Sequence, residues 1–388
     1  MRNAWPFSVN VLLFASGACL LPFFVLYYQS LGFTGTQIGL LTGLTPLVML
    51  VGAPLWTNVG DATQRHRLLM TVAILGAAAA VLALPLFAAF VPVLLCVLLH
   101  YAFLAPVFAF NDSATMNMLG GQKALYGRIR LGGTFGFGIA AYLAGLLVER
   151  YDLRLTFWAG GALLLLSGLV SQNLRHHGPT KTSAAPTGRF ITLLKDRRWL
   201  PLLPLAFAAG LAIPASTSYL FPYLQELGLP ESTMGLALTL GTLAEVPVFF
   251  FGNRLIRRFT SFGLLLIATT ISGLRLALFF VSPAPGYVLF LQFLSGFTFP
   301  AVWVAGVAYA DEHAPPGLGA TAQGLFGAMV FGFGAAVGGF MGGPLMERLG
   351  GRGTFLVYGV VILLIVAVVA LLQKRVSTEQ NRPLPGNI

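Results

Sequence analysis

Uncharged apolar stretches long enough to cross a lipid bilayer recur along nearly the whole chain, and they constrain its fold more than any other feature. Residues 7–28, for example, carry no charged side chain. Inside a bilayer every backbone group must be hydrogen-bonded within the protein, so an apolar stretch of about 20 residues becomes a membrane-spanning helix. Only 9% of the 388 residues are charged, whereas soluble proteins contain about a quarter. This composition disfavours a soluble enzyme, a disordered protein and a nucleic-acid-binding protein.

Twelve such stretches can be counted, separated from one another by charges or turn residues,. We predict membrane spans at residues 7–28, 37–59, 68–88, 92–114, 129–148, 155–173, 200–222, 233–252, 261–281, 287–310, 319–345 and 353–373. The chain is therefore expected to be an all-α polytopic membrane protein with twelve transmembrane helices.

The longest polar stretch divides the predicted spans into two groups of six. We expect an N-terminal six-helix bundle over residues 1–174 and a C-terminal six-helix bundle over residues 200–373. Residues 175–199 are predicted to form a cytoplasmic linker, in which 189–199 is a candidate amphipathic helix on the membrane surface,. Residues 374–388 are polar and contain two prolines, which predicts a disordered cytoplasmic tail,.

The distribution of basic residues predicts the orientation of the chain in the membrane. If the amino terminus is cytoplasmic, 18 of the 23 Lys and Arg residues lie in cytoplasmic segments, four lie in outer loops, and Arg275 alone lies within a span. We therefore expect both termini to be cytoplasmic, in the inner or plasma membrane of the cell. The net charge of +11 then favours contact with anionic lipid headgroups.

The two halves of the chain repeat short motifs at a nearly constant offset. Three matched pairs illustrate the repeat: residues 29–32 with 225–228 and 135–138 with 331–334, each 196 apart, and 156–157 with 354–355, 198 apart. Each half begins on the same side of the membrane and has an even number of spans, so the repeats are parallel. Parallel repeats pack as two bundles about an axis along the membrane normal, with the substrate site between them at mid-depth.

Glycines are dense in the fifth and eleventh predicted spans, at 132, 133, 136, 138 and 145 and at 332, 334, 338, 339, 342 and 343. A phosphate-binding loop is the competing interpretation, but no Lys-Ser/Thr pair follows the glycines and they lie within apolar helices. We expect these glycines to let a neighbouring helix approach closely.

Charged residues inside a bilayer are costly and usually line a transport path or pair with each other. At a rise of 1.5 Å per residue, Glu245 in the eighth span and Arg275 in the ninth lie about 14 Å and about 21 Å from the inner ends of their spans. A carboxylate that exchanges a guanidinium partner for a proton can couple proton movement to substrate occupancy. We assign Glu245 and Arg275 to this proton-coupling ion pair. A fixed ion pair that stabilises the C-terminal bundle is the structural alternative.

Four further residues carry candidate ionisable groups. Asp112 and Arg130 flank a short cytoplasmic loop and form either an inner gate or coupling pair, or a structural clasp. Asp61 lies in the inner loop between the second and third spans, where we expect it to cap or pair with a helix end and hold the inward gate shut. His100 is a candidate proton relay or substrate ligand, although a lone buried histidine is more often a hydrogen-bonded packing residue.

Aromatic and polar side chains complete the set of candidate substrate-binding residues: Phe23, Tyr27, His100, Asn111, Tyr223 and Trp303. Aromatic rings that face a central cavity would stack on a substrate ring. Since 12% of the residues are aromatic, most rings must serve in packing or as interface anchors. The two cysteines lie in apolar stretches and indicate neither a disulfide framework nor a metal cluster,. We expect no cofactor and no metal.

Four short motifs resemble one family of membrane proteins. They are residues 106–112 with Ala114, residues 126–131, residues 244–246 followed by Arg254, Arg257 and Arg258, and residues 272–275. Together with twelve spans in two repeats, they resemble the major facilitator superfamily across essentially the whole chain. More narrowly, the sequence is similar to the phenylpropionate permease group, relatives of the lactose permease and the nucleoside–proton symporters.

The resemblance implies the major facilitator fold and a proton-driven symporter that works by alternating access. It places Glu245 and Arg275 among the coupling residues of the C-terminal bundle, and Asp112 and Arg130 at the family's charged positions in the fourth and fifth spans. Two features depart from the family pattern. Asp61 is followed by Ala-Thr-Gln rather than by a basic residue and a glycine, and the tenth span lacks the deep His and Glu of the lactose permease.

We therefore expect a secondary active transporter that performs proton-coupled symport of a small organic solute, such as an aromatic acid, a nucleoside or a sugar. Proton-driven antiport or export of small molecules on the same fold is the alternative, which the even balance of acidic and basic residues within the spans leaves open. An enzyme is disfavoured because the sequence has no His-Glu-x-x-His motif,. The expected partners are the small-molecule substrate, protons and membrane lipids, without nucleic acid, and we expect a monomer.

Overall fold

The computed structural model describes residues 4–175 except 121, 123 and 124, residues 193 and 199, and residues 201–380 except 282, 283 and 317. All regular secondary structure within these residues is helical. The predicted linker at 175–199 lies almost wholly outside the described residues, and so does the candidate amphipathic helix at 189–199.

The N-terminal half contains six helical spans, here called spans 1 to 6. They are Ala4–Ser30, Gly35–Thr63, His66–Leu86, Phe90–Leu119, Tyr126–Arg150 and Arg154–Ser171. A capping box defines the start of span 2, where the Thr34 side chain accepts from the Gln37 backbone N–H and the Gln37 side chain accepts from the Thr34 backbone N–H,. All six spans occur where the sequence predicts them, with ends shifted by a few residues.

The C-terminal half begins with span 7, in which the helices Leu202–Thr217 and Leu220–Glu226 meet at a bend of 47°. Spans 8 to 10 are Glu231–Phe259, Ser261–Phe280 and Gly286–Glu312, and a final apolar segment, Gly319–Gln373, has 55 residues. That segment is long enough for two spans, and Gly350 breaks it with φ 66° and ψ 179°. We call its two parts spans 11 and 12, so the described residues are consistent with the twelve predicted spans.

The predicted tail is partly helical. The last helix, Ala335–Gln380, continues past the end of span 12 into the segment predicted to be disordered from residue 374. The prediction of disorder is therefore wrong for residues 374–380, where the apolar helix propagates into polar sequence. Residues 381–388 lie outside the described residues.

Backbone geometry repeats between the two halves. Gly32 and Gly228, which follow spans 1 and 7, have φ values of 75° and 74°. Gln64 and Thr260, which follow spans 2 and 8, have φ values of 57° and 61°. Both pairs are separated by the 196 residues of the sequence repeat, since 228 − 32 and 260 − 64 are equal. Equivalent turns in the two halves thus share a positive φ, although ψ differs between Gln64 (22°) and Thr260 (164°).

Glycines allow the closest helix contacts, as predicted for spans 5 and 11. Span 1 packs on spans 5 and 6, span 7 packs on span 11, and span 9 packs on span 12. The halves meet where span 2 contacts span 11 and where span 5 contacts span 8. A Cβ atom on Gly136 of span 5 would collide with the backbone of Val11, and one on Gly39 of span 2 would lie 2.8 Å from the Phe340 carbonyl oxygen. Small residues therefore set the spacing of these helices.

Candidate functional site

One end of the molecule, called here the closed end, is held shut by contacts between the halves. It carries the loops after spans 1, 5 and 7. The Thr42 hydroxyl of span 2 lies 2.8 Å from the Tyr219 hydroxyl of span 7, and the Gly339 carbonyl oxygen of span 11 is 2.9 Å and 2.8 Å from these two hydroxyls. Phe23 meets Phe221 edge to face, with ring centroids 5.0 Å apart. Candidate residue Phe23 thus belongs to the contact between spans 1 and 7.

A second contact joins spans 5 and 8 at the same end. The Glu149 carboxylate accepts a hydrogen bond from the backbone N–H of Ser232 at 3.0 Å, in the first turn of span 8. A carboxylate is favourable there because the amino end of a helix carries partial positive charge. The Thr239 hydroxyl donates to the Gly138 carbonyl oxygen at 2.6 Å. Sequence inspection missed Thr42, Tyr219 and Glu149 because Thr and Tyr are common in spans and Glu149 falls at a loop.

The candidate residues Tyr27 and Tyr223 are buried in equivalent structural positions at the closed end. The Tyr27 hydroxyl donates to the Phe87 carbonyl oxygen at 3.3 Å, and its ring lies 4.8 Å from that of Phe157. The Tyr223 hydroxyl donates to the Phe279 carbonyl oxygen at 2.8 Å, and its ring lies 4.9 Å from that of a phenylalanine in span 12. In this structure both side chains tie helix ends within one half, so a role in substrate binding stays a prediction.

Arg275 lies inside the C-terminal half, where neutral groups bind its guanidinium. Its side chain is only 3% exposed. Nε donates to the Leu291 carbonyl oxygen at 3.2 Å, Nη2 donates to Gln292 Oε1 at 3.1 Å, and Nη1 lies 3.4 Å from Ser216 Oγ. The guanidinium carbon also lies 5.6 Å from the centroid of the Phe279 ring, where cation and π-electrons attract each other. Two neighbouring spans, 7 and 10, and the Phe279 ring of its own span thus hold this cation without a direct carboxylate contact.

Glu245, the acidic partner predicted for Arg275, lies on span 8 without a direct ion pair. Among the described residues, a side-chain ion pair within 4.0 Å joins Asp112 to Arg130, and Asp61 contacts His66 at 3.0 Å, but no ion pair joins Glu245 to Arg275. The two charges still interact electrostatically. The half-buried Glu245 carboxylate makes no hydrogen bond with another described residue. The structure therefore places the pair as neighbours, with Arg275 bound to other groups.

Asp112 and Arg130 form a direct ion pair, as their positions on either side of the loop between spans 4 and 5 suggested. Arg130 Nη1 lies 3.2 Å from both carboxylate oxygens of Asp112 and 3.3 Å from the Tyr126 hydroxyl. The side chains of Arg130 and Asp112 are 47% and 36% exposed. Arg130 also lies over the Phe14 ring, 5.8 Å from its centroid. Because all these residues belong to the N-terminal half, the pair does not join the two halves in this structure.

Asp61 pairs with a histidine that begins the next helix. Its carboxylate lies 3.0 Å from His66 Nε2, and the Asp61 side chain is 68% exposed. The His66 ring stands edge to face against Phe110, with centroids 5.8 Å apart. The expected pairing of Asp61 with a helix end is therefore present, at the start of span 3. The contact lies within the N-terminal half, so a gating role stays a prediction.

The remaining candidates have different surroundings. His100 is 2% exposed, and its Nδ1 lies 2.9 Å from the Ala77 carbonyl oxygen, which is the hydrogen-bonded packing arrangement. Asn111 is fully buried and donates to Asn10 Oδ1 at 3.3 Å, while its own Oδ1 has no partner within the described structure. Trp303 is half-buried and packs against Phe331, with ring centroids 5.3 Å apart. Of the six, Trp303 alone keeps substantial exposed surface beside other rings.

Three proteins named as permeases or transporters are similar to this chain over most of its length. A maltose permease of Geobacillus stearothermophilus is 28% identical over 97% of this chain and 96% of its own. A probable 3-phenylpropionic acid transporter of Escherichia coli is 27% identical over 90% and 92%. A putative nucleoside transporter of Escherichia coli is 26% identical over 88% and 84%. These relatives are all described as permeases or transporters.

Solved structures have the same fold. The nucleoside transporter NupG superposes with a TM-score of 0.85 at 16% identity, over 96% of this chain and 99% of its own. A bacterial homologue of the lysosomal transporter Spinster, in an inward-facing and unoccupied conformation, superposes with a TM-score of 0.78 over 99% and 98%. The sequence profile of the MFS_1 like family matches residues 8–357. The chain is an integral membrane protein that belongs to this family of major facilitator superfamily transporters.

Proposed function

We propose that this transporter performs proton-coupled symport of a small organic solute by alternating access. The observation that carries the proposal is the separation of Glu245 from Arg275, which three neutral groups bind instead. A carboxylate inside a bilayer without a partner is costly when ionised. It therefore takes up a proton in this state and releases it when the guanidinium becomes its partner, which is the exchange that coupling requires.

The proposed orientation makes the closed end the outer one. Basic residues favour cytoplasmic termini in the inner or plasma membrane, so the loops after spans 1, 5 and 7 face outward. The contacts of Thr42, Tyr219 and Gly339 then seal the outer side. The Asp112–Arg130 pair, near the opposite end, lies at the inner side. In this proposal the structure is an inward-facing state of a monomeric carrier with two bundles, at residues 1–174 and 200–373.

The proposed substrates have a ring and at least one polar or charged group. The relatives are named for maltose, 3-phenylpropionic acid and nucleosides, and such solutes share these two features. Trp303 and Phe331 present ring surfaces on spans 10 and 11. Asp112 and Arg130 supply acceptors and donors that are partly exposed. Among the candidate substrates we rank a sugar first, because the maltose permease matches almost the whole chain.

Substrate-triggered proton movement tests this function. The protein is overproduced in cells, and de-energised membrane vesicles are suspended in weak buffer while external pH is recorded. Maltose, 3-phenylpropionate and uridine are then added one at a time. Symport predicts alkalinisation of the medium by at least one of them, absent in vesicles without the protein. Acidification would instead support the antiport or export alternative, and no pH change together with measurable substrate uptake would contradict proton coupling.

A further inference from the structure

Gln292 of span 10 is the neutral side chain that binds Arg275 most directly. It is 2% exposed, and its Oε1 accepts a hydrogen bond from Arg275 Nη2 at 3.1 Å. The residue before it, Leu291, supplies its carbonyl oxygen to Nε of the same guanidinium at 3.2 Å. One turn of span 10 therefore binds two of the three guanidinium nitrogens, and Ser216 of span 7 lies near the third at a longer 3.4 Å.

The other end of the Gln292 amide has no partner. Nε2 is buried and makes no hydrogen bond within the described part of the chain. An unpaired amide donor costs free energy in any buried site, and more so at membrane depth where water is absent. A glutamine that served only to stabilise the fold would be expected to use both ends of its amide. This pattern is instead typical of a side chain whose hydrogen bonds differ between two states.

Gln292 also packs directly against span 8, the helix that carries Glu245. A Cβ atom on Gly241 would lie 3.5 Å from Gln292 Oε1 and 2.7 Å from Ser295 Oγ. Gly241 precedes Glu245 by four residues, which is about one helical turn. The absence of a side chain at 241 therefore lets span 10 reach the surface of span 8 beside Glu245. Gln292 thus binds Arg275 at a position that adjoins the helix of the carboxylate.

We propose that Gln292 is a positioning residue that holds Arg275 away from Glu245 in the described state, and that Arg275 passes between Gln292 and Glu245 during the transport cycle. The inference rests on the proposed proton coupling. The described groups that face Arg275 from other spans are Ser216 of span 7, Glu245 of span 8, and Leu291 and Gln292 of span 10. Span 12 presents apolar side chains to span 9 at Gly273. Glu245 is therefore the charged group among these neighbours, and it competes with Gln292 for the guanidinium.

Two substitutions bias this competition in opposite directions. Gln292→Met keeps the length of the side chain but removes the acceptor, so Arg275 should remain with Glu245 and keep it ionised. Gln292→Glu supplies a permanent carboxylate, so Arg275 should remain at residue 292 and leave Glu245 protonated. Both variants should exchange substrate across the membrane without net proton movement. Ser295→Ala is the matched control, because Ser295 lies on the same helix, faces span 8 and does not bind Arg275.

The experiment measures three quantities in vesicles: equilibrium exchange of the substrate that the wild type transports, protons taken up per substrate, and the pH dependence of exchange. The wild type and Ser295→Ala should show the same proton uptake, whereas Gln292→Met should lose it while exchange persists. Gln292→Met should also add no further change in pH dependence to a Glu245→Gln background, since residues that act through one another are not additive.

A normal pH dependence and proton uptake in folded Gln292→Met would overturn the inference while leaving proton coupling intact. If Gln292→Met fails to fold, Gln292→Glu decides in the same way: retention of wild-type proton uptake contradicts the proposal. If the wild type transports substrate without protons, the proposed function is contradicted, and this inference is contradicted with it. The failures of the two proposals are thus distinguished by the wild-type measurement.

Discussion

At the residue scale, Glu245 and Arg275 carry charge into a region where charge is expensive. The guanidinium is not isolated because the Leu291 carbonyl oxygen and Gln292 Oε1 accept hydrogen bonds from it. The carboxylate has no comparable donor among the described residues. The proposed function uses this asymmetry: Arg275 is the cation that stays charged, and Glu245 is the group proposed to gain and lose a proton.

Glu245→Gln should separate coupling from binding. Glutamine resembles a protonated glutamate in shape and cannot ionise, so the proposed proton exchange is lost while the geometry is kept. We expect uphill accumulation to disappear and exchange of substrate loaded on both sides of the vesicle to persist. Both are measured by uptake of radiolabelled substrate with and without an imposed proton gradient. Full accumulation by this variant would remove Glu245 from the coupling role.

Asp112 and Arg130 should behave as one unit. The Arg130 Nη1 atom contacts both oxygens of the Asp112 carboxylate, so removal of either charge leaves the other without its partner. Asp112→Asn and Arg130→Gln should each slow transport, by about tenfold if one charge-assisted hydrogen bond of roughly 1.5 kcal/mol is lost at the transition state. The double variant should be no slower than the slower single variant. Initial uptake rates check this. If the rate of the double variant were reduced by the product of the two single reductions, the two residues would act independently.

At the element scale, the apolar pattern predicted the spans well because each span has a long apolar stretch with few charges. The ends were less predictable, since helices such as Phe90–Leu119 and Glu231–Phe259 continue past the apolar core into polar sequence. Gln292 was missed for a different reason. A single glutamine in an apolar span carries no charge and no motif, although a polar residue at membrane depth is itself a signal. The hydrogen bond to Arg275 depends on helix neighbours that the sequence does not state.

The contact between spans 2 and 11 should control opening of the closed end. A valine at Gly39 would place Cβ 2.8 Å from the Phe340 carbonyl oxygen, so the two helices must move apart. We expect Gly39→Val to favour the state that is open at this end and to slow exchange. A cysteine at Thr45, in a variant without Cys19 and Cys96, should then react faster with a membrane-impermeant maleimide added outside.

Gly324→Val is the matched control for this measurement. Gly324 belongs to span 11, but a Cβ atom there would meet nothing within 4 Å. It should leave labelling at Thr45 unchanged. Equal labelling of the Gly39→Val and control proteins would show that close packing of spans 2 and 11 does not hold the outer end shut.

At the scale of the whole molecule, two repeats form a single transporter. The nearly equal φ angles of Gly32 and Gly228, and the equivalent packing of Tyr27 and Tyr223, show that the halves share one architecture. Their side chains differ where function is proposed. The N-terminal half holds a direct carboxylate–guanidinium pair, whereas the C-terminal half holds its guanidinium on neutral groups. Both arrangements lie within a single half, so a change of partner at Arg275 requires spans of the C-terminal half to move relative to one another.

Uphill transport driven by a proton gradient tests the central claim most directly. Purified protein is reconstituted into liposomes that contain equal substrate concentrations inside and outside, and a proton gradient, acidic outside, is then imposed. Proton-coupled symport predicts net accumulation of substrate inside, abolished by a protonophore and absent from Glu245→Gln liposomes. Equal concentrations that persist despite the gradient, in liposomes that exchange substrate normally, would contradict proton-coupled symport.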